Sequence, residues 1–242
     1  MASDVVDLHE FYRTSLGSMT RRLILRRLRR LWPSVQGQTM LGLGYATPYL
    51  RPFRDEAART IALMPAAQGV IHWPEGEPGL ATLAEESELP LPDLSVDRAL
   101  LVHAIEHAEP LGAMLRELWR VLADGGRLLA VVPNRRGIWA RLDRTPFGHG
   151  LPYTPNQLSR ALRANMFTPI QQASALYMPP TASRLLLAWA PAWEDLGERR
   201  FTSFAGVVIV EASKQVYGAM PLAAEKRQRR VYMPVPGLTP RA

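Results

Sequence analysis

The 242-residue chain contains no cysteine. That excludes disulfides, iron–sulfur clusters, zinc–thiolate sites and a thiol nucleophile. Lysine occurs only at Lys214 and Lys226, so nearly all of the positive charge is arginine. Long apolar runs are missing too. The best, Leu185 to Trp193, is interrupted by Pro191 and is far shorter than the roughly 18 residues of a membrane span. The first residues are acidic and then polar, unlike a secretory signal. A cytoplasmic protein is expected. Hydrophobic residues make up 47% and charged residues 21%, which excludes a disordered chain and permits a large core without staples.

What is abundant is positive charge, +7 in total, and its placement matters more than its sum. Residues 1–36 carry seven arginines against three acids, and residues 214–242 carry six basic residues against one acid. Between them, 16 arginines face 18 acids. The centre is slightly acidic, so the basic character belongs to the two ends and not to a domain-wide nucleic-acid surface.

Residues 7–32 have the apolar spacing of a helix, ended by Trp32-Pro33. Met40 to Gly44, Thr60 to Met64, Leu80 to Leu83, Arg98 to Val102 and Arg127 to Val132 are short apolar runs of buried-strand type. Helices are expected at Tyr49–Ala58, Pro110–Leu122 and Asn156–Asn165, and Thr181–Trp189 fits a helix or a strand equally. The glycines of Asp124-Gly-Gly126 should stop the second of these helices. Ile170–Tyr177 and Val207–Ala212 complete the strands. Alternation of this kind predicts a mostly parallel sheet covered on both faces, with ligands at the carboxyl ends of the strands.

The block Glu85-Glu-Ser-Glu-Leu-Pro-Leu-Pro-Asp93, Leu101-Val-His-Ala-Ile-Glu-His107, Leu115-Arg-Glu-Leu-Trp-Arg-Val-Leu-Ala-Asp-Gly-Gly126 and Leu128 to Asn134 resembles class I S-adenosylmethionine-dependent methyltransferases of the small-molecule type. The resemblance spans roughly residues 38–213. It implies a Rossmann-like, seven-stranded, mostly parallel sheet whose last strand is antiparallel, and S-adenosyl-L-methionine as cofactor. It also implies methyl transfer to a small molecule by alignment of a nucleophile with the sulfonium methyl. Cofactor contacts are implied at Gly42, Gly44, Tyr45, Glu85, Glu86 and Leu101. Glu85 matches the acid that meets the adenine amino group. His103, His107 and His149 are implied as candidate proton acceptors. His149 and Tyr153 lie in a loop of the kind that caps the substrate pocket.

The chain departs from the family at the loop after its first strand. The usual pattern is an acid followed by x-G-x-G-x-G. Here Gly42 stands in the acid's place, Gly44 matches the first glycine, and Ala46 and Pro48 replace the other two. The family's acid after the second strand is also missing at Met64-Pro65. The alternative is therefore a non-catalytic methyltransferase-fold protein that acts through a protein partner.

His103-Ala-Ile-Glu106-His107 also matches H-x-x-E-H, the pattern of inverted zinc peptidases. That chemistry needs a long helix, and here an apolar strand precedes the motif and Glu109-Pro110 follows it. No metal site is expected. The division expected is a basic amphipathic helix at 1–36, a methyltransferase-like domain at 37–214 and a basic tail at 215–242. The N-terminal stretch suits a lid or docking helix, or peripheral contact with anionic lipid. The tail suits a protein partner. Nucleic acid is not expected, because no nucleic-acid fold accompanies it.

Overall fold

A computed structural model describes residues 4–200 and 202–216. The strands are β1 (Thr39–Gly44), β2 (Arg59–Pro65), β3 (Ala81–Ala84), β4 (Val96–Val102), β5 (Leu122–Pro133), β6 (Phe167–Ala175) and β7 (Val207–Lys214). They form one sheet in the order β3-β2-β1-β4-β5-β7-β6. Only β7 is reversed, pairing antiparallel with both β5 and β6. The expected sheet is present, antiparallel last strand included.

Alternation along each strand divides the apolar residues between two cores. Leu41, Leu43, Ala99, Leu101, Leu128 and Ala130 pack with Met114, Leu115 and Leu118 of α4 (Leu111–Val121) and with Leu158 and Leu162 of α5 (Pro155–Ala164). Met40, Leu100, Val102, Leu129 and Val131 face the other way. They pack against α1 (Val5–Arg13), α2 (Ser15–Leu31) and α3 (Thr47–Arg54). The N-terminal helices therefore share a core with the sheet.

Two local expectations need correction, one open choice is resolved and one element is new. The single helix at 7–32 is two helices that meet at Thr14. Its hydroxyl accepts from the Gly17 N–H and so caps α2. At Gly17 any Cβ would collide with the Phe11 carbonyl, which fixes a tight junction. Second, Asp124-Gly-Gly126 does not separate helix from strand. β5 already begins at Leu122, and the glycines sit in a register break between the Val96 and Arg98 pairings, with Gly125 at φ +76°. Third, Thr181–Trp189 becomes the short α6 (Arg184–Ala188). Finally, α7 (Ala190–Arg200) follows with no counterpart in the sequence expectations.

The arginines of α2 meet the acids of α7. Arg27, buried, donates to Glu198 at 2.6 Å and lies 3.7 Å from the buried Glu194. Arg26 pairs with Asp195 and Arg30 with Glu198. α2 is thus docked on the body of the protein through its basic face. The basic tail at 217–242 lies outside the described residues. Among the described residues, no helix is long and apolar enough to cross a membrane.

Candidate functional site

β1 and β4 are neighbours, and the sheet continues from them in opposite directions. Their carboxyl ends are the switch point where an α/β sheet binds ligands. The chain leaves β1 through Gly44 at φ +81°. A Cβ there would collide with the Val102 carbonyl of β4. A Cβ at Gly42 would press into Leu50 and Ala46. Close packing against backbone therefore demands glycine at 44, whatever binds above it, whereas at 42 the Leu50 side chain would have to shift. The loop ends at once, because α3 begins at Thr47 with Pro48 in its first turn.

Tyr45 is buried and stacks on Tyr12 of α1, with ring centroids 5.7 Å apart at 24°. Its hydroxyl pairs with His9 Nδ1 at 3.2 Å, and burial pushes its phenol up to about 12. The Tyr12 hydroxyl bonds Tyr49 at 3.0 Å and His103 Nε2 at 2.9 Å. Burial raises the Tyr12 phenol well above the ordinary value. Phe147, from the loop beyond β5, covers the other side of His103 with ring centroids 4.9 Å apart. Tyr12, Tyr45 and Tyr49 thus form one aromatic cluster beside the loop after β1.

Open space lies to one side, above β2, β3 and β4. A cavity of about 420 Å³ is lined by residues 65–68 after β2, Glu85–Ser87 after β3, His103, Glu106 to Pro110, Gly150 and Leu151. Glu85 and Glu109 are exposed there and Glu86 is half-buried. The Glu86 carboxyl is raised by burial, with Glu85 and Glu109 adding to it. Gln68 donates to the His103 carbonyl at 3.0 Å, and its buried Oε1 has no partner. On the far side of Tyr12 and Tyr45 a second cavity of about 520 Å³ is walled by Arg13, Arg21, Arg51, Arg54 and Trp73, with Asp55, Glu75 and Glu77 among them.

His103, His107, Glu85 and Glu86 come together around the first cavity. His107 is half-buried, and burial lowers its pKa despite the neighbouring Glu106. His149 is exposed beside Gly150 and close enough to His107 to disfavour its charge. Tyr45 borders the second cavity instead. Leu101 lies apart: it packs in the core with Leu43, Ile105 and Leu115 and lines neither cavity. Sequence reasoning missed Tyr12 and Gln68. Tyr12 read as one apolar position of a helix, and nothing local tied it to His103, 91 residues away.

Residues 41–130 match a family model described as a methyltransferase domain. The stretch from β1 into β5 is thus similar to a methyltransferase domain. Solved structures agree on the fold. An S-adenosylmethionine-dependent methyltransferase from Thermotoga maritima is 15% identical, with 87% of this chain and 96% of that one covered and a TM-score of 0.61. The 1,6-didemethyltoxoflavin N1-methyltransferase of Burkholderia thailandensis, solved with S-adenosylhomocysteine, is 18% identical over 79% and 76%, TM-score 0.51. The cyclase SpnF is 22% identical over 84% of each chain, TM-score 0.56. A fold shared with a cyclase does not by itself fix the reaction. A comparison with curated protein sequences finds no match.

The cofactor of the domain family can be tested against these residues. The adenosyl end fits: the cavity is open at Glu85 and Glu86, and Gln68 Oε1 lacks a donor. At the amino-acid end the family's carboxylate is missing, because Gly42 stands in its place, and Tyr12 and Tyr45 pack together beside the loop after β1.

Proposed function

We propose that the protein is an S-adenosylmethionine-dependent methyltransferase acting on a small molecule. The observation that carries this reading is the cavity at the carboxyl ends of β2, β3 and β4, with Glu85 and Glu86 at its rim. Bound there, the cofactor would supply an electrophilic methyl group. Glu85 and Glu86 would hold the adenosyl end. His103 is wholly buried and held by Tyr12, so removal of a substrate proton would fall to His107 or His149. Cytoplasmic location and a protein partner for the basic tail remain part of the proposal.

One observation favours a second reading, a non-catalytic fold. Gly42 stands where the family has an acid, and Tyr12, Tyr45 and Tyr49 pack together beside that loop. Calorimetric titration of the full chain separates the two. S-adenosylmethionine binding roughly tenfold or more tighter than adenosine, about 1.4 kcal/mol, supports the methyltransferase. Equal binding of the two, or binding of neither to folded protein, supports the non-catalytic reading.

A further inference from the structure

We propose that His103, Glu106 and His107 form a binding site for a divalent transition ion, Zn²⁺ by its donor set, at the inner end of the cavity beyond β4. The expectation of no metal rested on the lack of a long helix. The structure gathers the same residues without one. His103 takes φ +52° directly after β4, and the next residues make a single turn in which the His107 and Ala108 N–H groups donate to the Ala104 carbonyl. That turn brings ligand atoms of all three side chains within 4.8 Å of one another. A left-handed backbone is uncommon for a residue with a side chain, and such strain collects at functional sites.

The polar atoms here lack partners. His103 Nδ1, both carboxylate oxygens of Glu106 and His107 Nε2 are buried, and none makes a hydrogen bond. A buried carboxylate without a donor carries a heavy desolvation penalty that a cation removes. The tautomer of His103 sharpens this. The single Tyr12 hydroxyl proton serves either Tyr49 or His103. When Tyr49 takes it, the Tyr12 oxygen accepts from His103 Nε2–H, and Nδ1 is left a bare lone pair 3.2 Å from Glu106 Oε1, misaligned for a hydrogen bond. In that arrangement the two acceptors repel unless a proton or a metal ion lies between them. Tyr12 then does what outer partners of ligating histidines do: it fixes ring orientation and tautomer.

Two imidazole nitrogens and a carboxylate form the donor set of open zinc sites, which keep a further position for water or a substrate oxygen. That position would face the cavity, where Glu85, Glu86 and Glu109 add negative charge favourable to a cation. The inference does not depend on the cofactor reading, because its readout is the metal itself.

Full-length protein stripped with a chelator and titrated with Zn²⁺ should take up one ion per chain. Co²⁺ in its place should give the visible absorption of a low-coordinate site. Glu106→Gln and His107→Ala should each weaken binding roughly tenfold or more, whereas His72→Ala, outside the cavity, should not. Circular dichroism confirms that each variant is folded, and Glu106→Gln preserves side-chain volume should His107→Ala fail. Absence of stoichiometric Zn²⁺ from folded protein overturns the proposal. So does binding that survives both substitutions, which would place the ion on surface histidines. Neither result bears on the separate titration with S-adenosylmethionine.

Discussion

A methyl group at residue 44 would strike the carbonyl of Val102, in a backbone conformation that already disfavours any side chain. Gly44→Ala should therefore cost about 2–3 kcal/mol, read as a shift in the urea unfolding midpoint with unchanged slope. An unchanged midpoint would show that β1 and β4 can separate at little cost. Tyr12→Phe removes the hydroxyl shared by Tyr49 and His103. It should cost about 1–3 kcal/mol by the same measurement. The two positions differ in what the sequence revealed. Gly44 was legible as a turn glycine, although its reason, contact between strands, was not. Tyr12 was legible only as part of a helix face, because its partners come from α3 and the turn after β4. Side-chain hydrogen bonds across the fold leave no periodic trace in a sequence.

Pairs of elements, in contrast, are joined by contacts whose sign can be tested. α2 and α7 meet through Arg27 and Glu194, both buried. Arg27→Met leaves the Glu194 carboxylate without its counter-charge and should cost about 3 kcal/mol. Adding Glu194→Gln should recover most of that loss. Burial also raises the Glu194 carboxyl above its ordinary value of 4.5. The native state then holds that proton more tightly than the unfolded chain does. Its contribution is fully present below pH 4.5 and is lost as pH rises through the raised value. The melting temperature of Glu194→Gln relative to wild type should accordingly climb as pH rises above 4.5, and a constant difference would disprove the assignment. The strands and α4 were visible as apolar runs or a one-sided stripe. α7 was not, because much of its length is exposed, Trp193 and Leu196 included, so its apolar residues mark no core-facing face. The break at Thr14 was equally hidden, since a threonine cap inside a continuous apolar pattern resembles an ordinary helical position.

At the scale of the molecule, the composition suggested two basic ends flanking a domain. The structure draws the first of them inward. Val5, Leu8, Ile24, Leu28 and Trp32 are buried against the sheet. Each contributes about 1.5–3 kcal/mol, together comparable with the whole stability of a domain, about 5–15 kcal/mol. A chain lacking residues 1–36 should show no cooperative thermal transition, and a sharp melt would restore the view of these helices as an appendage. The inward placement has one more consequence. Tyr12 borders the arginine-walled cavity, and its hydroxyl is bonded to His103, which borders the acidic one. A guest in either chamber that turns Tyr12 must break or remake that bond. The affinities of the two chambers are then linked, and each guest alters the other's by the same factor.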